Sequence, residues 1–347
     1  MSTLQAPHLP PELADAIAAV PRARFIPWVT PLEPLKRLMA GEGATVFVKR
    51  DDLTGIGLGG NKVRKLEFYF GKAVAAGADT VLITGAVQSN YVRIAAACAA
   101  RLGLNCHVQL EERVAKSDPL YRSNGNVLLD DLFGASRSTF PVGEDEGAAD
   151  AEVERLAEEM RAAGRTPFVI PLSPNKPPLG SLGYVLAAQE LLRQAPDLKH
   201  VVVASGSGLT HTGLLFGLKA MGWPGHVHAV CVRRSAEQQR TRIANHCARL
   251  ADLLGVANPV AAEDIDVDDS NLAPGYGQMN PAIEKAMLET ARLEGLVLDP
   301  VYTGRVFAAA IAKLRNGTIK PGEPTAIIHT GGIPALFAYE SSIREFV

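Results

Sequence analysis

The run Val201-Val202-Val203-Ala204 passes at once into Ser205-Gly206-Ser207-Gly208-Leu209-Thr210, and a helical pattern follows from His211 to Met221. An apolar run without alternation is a strand buried on both faces, which places it in a parallel sheet covered by helices. The same order recurs along the chain. Strands are predicted at Thr45–Val48, Thr80–Ile83, Cys106–Leu110, Ser138–Val142, Phe168–Pro171, His200–Ala204, His226–Val232 and Thr325–His329. Between them lie helical patterns over Tyr91–Leu102, Asn124–Phe133, Ala149–Ala163, Leu179–Leu192, Ala236–Leu254, Asn280–Glu294 and Gly304–Leu314, with a short helix near Pro11–Val20. The acidic stretch Glu263–Asp269 and the turn Pro274–Gly277 read as surface loops. Such alternation predicts α/β layers around mostly parallel sheets.

A second glycine-rich turn constrains the chemistry. Lys49-Arg50-Asp51-Asp52 ends the first long strand, Gly55, Gly57, Gly59 and Gly60 follow, and Asn61-Lys62 opens a helix. Asn is a good N-cap, and glycine lets the backbone approach a bound group closely. Lys62 is thus expected in a first helical turn, where the helix dipole and burial favour the neutral amine that attacks an aldehyde. The Ser205–Thr210 loop has the form of a phosphate cradle, built from turn amides and a helix N-terminus. Gln88-Ser89-Asn90 lies between a strand and a helix, at the sheet edge where ligands gather.

With 347 residues, 47% of them hydrophobic, the chain can fill the cores of about two domains. A net charge of −2 implies no general attraction to nucleic acid or to an anionic membrane surface. Cys98, Cys106, Cys231 and Cys247 form no CxxC pair and read as free thiols in a reducing compartment. No apolar run approaches the ~20 residues that span a bilayer, and the proline-containing, acidic start is unlike a signal peptide. A cytoplasmic protein is expected. The histidines show no metal-site spacing, and no Gly-x-Ser-x-Gly elbow is present. A dinucleotide site competes for Gly206-x-Gly208, but His211 stands at its third glycine position, and Arg233-Arg234 rather than an acid follows the next strand. Those arginines suit only an NADP site.

Together the segments KRDD, GGNKVRKLEF, GAVQSNYVR, ASGSGLTH, APGYG, DPVYTG and HTGG resemble the D-cysteine desulfhydrase and aminocyclopropane-carboxylate deaminase family of pyridoxal-phosphate enzymes, from about Thr30 to Tyr339. The resemblance implies the tryptophan-synthase-β-like fold (fold type II): α/β, with two open, mostly parallel twisted sheets covered by helices. It implies a large cofactor-binding domain of residues 1–65 and 172–347, an inserted small domain of residues 66–171, and a homodimer. By resemblance Lys62 carries the cofactor as a Schiff base and later moves the Cα proton. Ser205, Gly206, Ser207, Gly208, Leu209 and Thr210 hold the phosphate, Asn90 meets the ring hydroxyl, and Thr330 stands near the pyridine nitrogen. Ser89, with Gln88 and Asn90 beside it, takes the substrate carboxylate. Tyr302 lies beside the ring, Tyr276 lines the substrate cleft, and no metal is expected.

The implied reaction is β-elimination from a small amino acid, giving pyruvate and ammonia. Thr303 follows Tyr302 in a VYTG pattern, the form of the desulfhydrases and cysteate sulfo-lyases, where the cyclopropane deaminases carry glutamate. D-cysteine elimination is therefore expected ahead of ring opening. Tyr91, where relatives show histidine, and Ser173-Pro174-Asn175-Lys176 depart from the family pattern, and Lys176 is a candidate for binding an anionic substrate group. An NADP oxidoreductase and a non-catalytic amino-acid sensor are the remaining alternatives.

Overall fold

The computed structural model describes residues 7–40, 43–143 and 145–347. Its strands are β1 (Leu32–Pro34), β2 (Val46–Lys49), β3 (Thr80–Ala86), β4 (Asn105–Glu111), β5 (Ser136–Phe140), β6 (Pro167–Ile170), β7 (His200–Ser205), β8 (His226–Cys231), β9 (Asp266–Asp268) and β10 (Thr325–Ile328). They form two sheets. The larger runs β1-β2-β10-β7-β8-β9 and the smaller β5-β4-β3-β6. Every pairing is parallel except β1 with β2. All six residues of β7 and all seven of β3 are buried, as strands covered on both faces must be.

The smaller sheet draws its strands from residues 80–170 and the larger from the chain on either side. The helix Lys62–Ala75 runs unbroken across the expected domain boundary between residues 65 and 66, so the connection there is helical.

The charged cluster at the end of β2 is a buried network. Lys49 donates to Glu190 at 2.5 Å and to the Thr30 carbonyl at 2.7 Å. Arg64, on the lysine helix, donates to both Asp51 (2.9 Å) and Glu190 (2.8 Å), and Tyr184 donates to Asp51 at 2.5 Å. These contacts fix the Lys62–Ala75 helix against β2 and the helix Leu182–Gln194.

Three local expectations are corrected. Asp266–Asp268 is an edge strand rather than a loop: Val267 is buried, Asp266 accepts from His228 at 2.6 Å, and Lys313 pairs with Asp268 at 2.9 Å. Its charges pair with basic partners while Asp266 stays exposed, and polarity alone conceals the buried Val267 between them. The edge strand β5 begins two residues before the predicted Ser138, because His107 of β4 engages the hydroxyls of both Ser136 and Ser138 at 2.9 Å. Asn61 does not cap its helix; its side chain serves the site described next.

Candidate active site

The C-terminal ends of the parallel strands converge on one cavity, as the ligand sites of open α/β sheets do. After β2, the glycine turn leads to Asn61 and Lys62, the latter the first residue of its helix. Gly60 (φ +123°) packs against the loop after β10: a Cβ on Gly331 (φ +84°) would come 2.7 Å from the Gly60 Cα. Only glycine allows this approach, and it brings Thr330 to the cavity wall beside Lys62. The Asn61 amide donates to Thr210 Oγ1 at 2.8 Å, while its Oδ1 accepts from Lys62 Nζ at 2.8 Å. Desolvation brings the Lys62 amine down to about 8, against the opposing charge of Asp299 and with a smaller push from Arg93. The neutral form is thus within reach near physiological pH, and the Tyr302 ring lies 5.3 Å from Nζ.

Opposite stands the loop after β7. Gly206, Ser207, Gly208 and Thr210 line the cavity, and the helix Leu209–Ala220 starts there with unpaired N–H groups. A side chain at Gly208 (φ +97°) would collide with Ile243 and His246. Lys65, one turn after Lys62, also reaches this wall. It is 2% exposed, its polar contact is a long 3.5 Å approach to Ser207 Oγ, and burial pushes its amine well down. Among the described residues no carboxylate pairs with it. Such an amine holds its proton only when an anion joins it.

The third wall follows β3. Ser89 caps the helix Asn90–Leu102, accepting from the N–H groups of Tyr91 (3.2 Å) and Val92 (3.3 Å), and it faces the cavity with Gly85, Ala86 and Tyr91. Tyr276 and Tyr302 close the far side, their hydroxyls 2.9 Å apart. Burial, with the Tyr276 phenol adding to it, holds Tyr302 protonated and able to donate.

The cavity therefore unites Lys62, Ser89, Tyr276, Tyr302 and Thr330 with Gly206, Ser207, Gly208 and Thr210. The other expected site residues stand behind it. Ser205 Oγ lies 2.7 Å from Gln239 and 3.2 Å from His211, inside the loop. Leu209 and Asn90 are buried and off the cavity lining, although the Asn90 Oδ1 is a buried acceptor without a partner. Gln88 donates to the Tyr121 and Asn124 carbonyls and accepts from Asn126 N–H, so its side chain is engaged in holding the next loop. Thr303 is fully buried and bonds Asp299 at 2.7 Å. Asp299 in turn accepts from the N–H groups of Val301, Tyr302 and Thr303, so Thr303 acts on the site by setting the tyrosine loop. Lys176 is a surface residue, 52% exposed and 4.0 Å from Glu154.

These features fit pyridoxal phosphate. A glycine loop on a helix N-terminus and the buried Lys65 suit its phosphate, Lys62 its aldehyde, and the orphaned Asn90 oxygen a ring hydroxyl. The comparisons agree: a family model for pyridoxal-phosphate-dependent enzymes matches residues 24–331. The chain belongs to that family. It is a pyridoxal-phosphate enzyme, similar to the D-cysteine desulfhydrase of Yersinia pestis (strain Pestoides F), with 41% identity over 334 residues, 95% of this chain and 99% of that one. It is equally similar to the D-cysteine desulfhydrase of Salmonella typhimurium, with 41% identity over 326 residues, 93% and 97% of the two chains. The fold matches a crystal structure of an ACC deaminase homologue with a TM-score of 0.86 and 35% identity, covering 98% of this chain and 100% of that one. This places the family's tryptophan-synthase-β-like architecture on the chain and leaves no role for the NADP reading.

Sequence reasoning missed several residues of this family site. Lys65 carried a signal, since it lies three positions after Lys62 on one helix face. Asn61 was read as a cap. Arg113 and Glu146 come from separate elements, and no local pattern marks them.

Proposed function

We propose that the protein is a pyridoxal-phosphate-dependent lyase that eliminates the β-substituent of a small amino acid, D-cysteine foremost, yielding pyruvate, ammonia and hydrogen sulfide. The observation that carries this reading is the pairing of a depressed Lys62 amine with a buried, carboxylate-free Lys65 three residues on, across from the Ser89 helix start. The names of the relatives support the substrate.

Bound at Lys62, the cofactor supplies an electron sink for charge developing at Cα. Gly206, Ser207, Gly208, Leu209, Thr210 and Lys65 would hold its phosphate, and Thr330 would offer a neutral hydroxyl to its ring. Asn90, whose Oδ1 is buried without a partner, would accept from the ring hydroxyl. Ser89 and the helix-start amides take the substrate carboxylate, which orients the Cα–H bond toward Lys62. Lys62, whose amine burial brings down to about 8, would accept the Cα proton. Tyr302, kept protonated, donates toward the departing sulfur. Loss of the C–S bond with its electron pair on sulfur, then hydrolysis of the released enamine, completes the reaction.

The protein works as a homodimer in this reading, supported by an exposed apolar face that includes Trp28, Val29, Leu53 and Leu58. A cytoplasmic setting is supported by four buried free cysteines; among the described residues no helix is long and apolar enough to cross a membrane. Screening small D- and L-amino acids for pyruvate release tests the function. Absence of pyruvate from every candidate, with the cofactor bound, would overturn it.

A further inference from the structure

Arg93 is a fully buried cation close to Lys62. It lies on the helix Asn90–Leu102, one turn past Ser89, and its Nη2 donates to the Gly59 carbonyl at 2.8 Å. Its Nε and Nη1 have no hydrogen-bond partner among the described residues. Asp130, on the helix Asn126–Leu132 that packs against the first, is also fully buried, and neither of its carboxyl oxygens has a partner. The two side chains feel each other's charge with no hydrogen bond between them. A guanidinium buried without a bonded carboxylate is costly to hold.

The carbonyl it holds belongs to the turn that presents Lys62, three residues on. A Cβ on Gly59 (φ +66°) would come 1.9 Å from the Asp52 carbonyl oxygen, so the turn is closed tightly on itself. Thr54 Oγ1 pins the next residue, accepting from the Gly60 N–H at 2.8 Å and donating to its carbonyl at 2.9 Å. Arg93 ties this turn to the helix that starts at the third wall of the site. Its charge also persists. Burial brings the guanidinium down to about 10, still above neutrality, and pushes Asp130 up to about 8, so near neutral pH the acid is largely protonated. The groups that face the Lys62 amine are Asp299, which favours its charged form, Arg93, which opposes it, Lys65 on the same helix, and the Tyr302 ring. The cavity wall adds Arg113, Arg233 and Arg234 against Glu146. Lys65 is turned toward Ser207 and the glycine loop, which leaves Arg93 as the cation on the protein side of the amine.

We propose that Arg93 is a positioning residue for Lys62: its bond to Gly59 fixes the turn that presents the lysine, and its uncancelled charge favours the neutral amine. This role rests on Lys62 being the lysine that takes the cofactor. Arg93 lies off the cavity lining, so it acts through the turn and through its field. Substitution separates the two effects. A lysine at position 93 keeps the charge and loses the planar fork that reaches the carbonyl, whereas a methionine loses both.

The experiment follows the rate of pyridoxal-phosphate uptake by the apoprotein against pH, by absorbance, with circular dichroism to check each fold. In the wild type the rate should climb to a break set by the Lys62 amine, at about 8. In Arg93→Met with Asp130→Asn, which strands no buried carboxylate, the break should move up by about one pH unit, slowing uptake at neutral pH roughly tenfold beyond any loss above the break. Arg93→Gln with Asp130→Asn should show the same move, and serves if methionine prevents folding. Arg93→Lys should keep the wild-type break and slow uptake by a similar factor at every pH. Asp130→Asn alone should leave the break in place. A break unmoved in the double variants, or moved as far by Asp130→Asn alone, would overturn the charge role. An Arg93→Lys profile identical to the wild type would overturn the role of the turn. Borohydride reduction that labels Lys65 instead of Lys62 would overturn the assignment of the cofactor lysine, and the role of Arg93 with it. None of these readouts needs turnover, so failure of every amino acid to give pyruvate would sink the elimination reading and leave the result for Arg93 standing.

Discussion

The side-chain oxygen of Asn61 accepts a hydrogen bond from the neighbouring Lys62 amine at 2.8 Å, while the same amide's nitrogen donates to Thr210 at 2.8 Å. One asparagine thus ties the lysine helix to the loop that cradles phosphate, and it holds Nζ in place before a cofactor arrives.

Lys62 should be the attachment point. Borohydride reduction followed by peptide mapping should place the pyridoxyl label on Lys62, and a label on Lys65 would reverse the two roles. The pH dependence follows from burial. The Lys62 amine is depressed to about 8 from its ordinary 10.5, so the neutral fraction grows as pH rises toward 8 and levels off above it. Cofactor uptake by the apoprotein, followed by absorbance, should speed up roughly tenfold per unit below pH ~8 and then flatten. A rise continuing to pH ~10 would mean an undisturbed lysine.

Thr210→Asp should leave a folded protein that no longer retains cofactor. Position 210 is the second residue of its helix, where a carboxylate suits the dipole but repels the phosphate drawn to the same amides. Cofactor content by absorbance, beside circular dichroism for the fold, reads this out. Full occupancy would move the phosphate elsewhere.

Ser89→Ala removes a helix cap and a carboxylate partner together. Loss of the cap should cost about 1 kcal/mol of stability. The missing hydrogen bond to a charged group should cost about 1.5–3 kcal/mol of substrate binding. KM is expected to rise about 10- to 100-fold with kcat little affected. A collapse of kcat at constant KM would make Ser89 a participant in proton movement.

Asp51→Ala should destabilise by roughly 3–5 kcal/mol, because it strands the buried Arg64 and the Tyr184 hydroxyl. Urea unfolding of the apoprotein measures this. A loss under 1 kcal/mol would mean that Glu190 alone suffices for Arg64.

Much of this architecture was legible because parallel strands and glycine turns leave local marks. Ala236–Leu254 runs between its expected bounds, since Ser235 and Gln238 form a capping box at one end and Gly255 adopts the left-handed conformation at the other. Val201–Ala204 reads as a buried strand because a short β-branched run ends directly in a glycine loop. Polar residues whose partners lie far along the chain were less legible. Asp266–Asp268 looks solvated until His228 and Lys313 are placed beside it. Thr303 looks like a wall of the substrate cleft until Asp299 claims its hydroxyl. Arg113 lies in a charged segment without pattern, and only the meeting of the two sheets makes it a lining residue.

The place of β10 bears on how the protein is made. It pairs with β2 on one side and β7 on the other, so Thr325 faces both Val46 and His200. The strand that leads to Lys62 and the strand that leads to the phosphate loop are therefore not neighbours; β10, made after both, joins them. Domains of a growing chain ordinarily fold as they emerge from the ribosome, and pairings between distant segments are slow to form. Here a nascent chain stopped short of Thr325 would hold the lysine and the cradle on separate pieces of unfinished sheet. Cofactor loading is thereby deferred until translation of β10 is complete, and the holoenzyme's yellow colour would report a completed sheet.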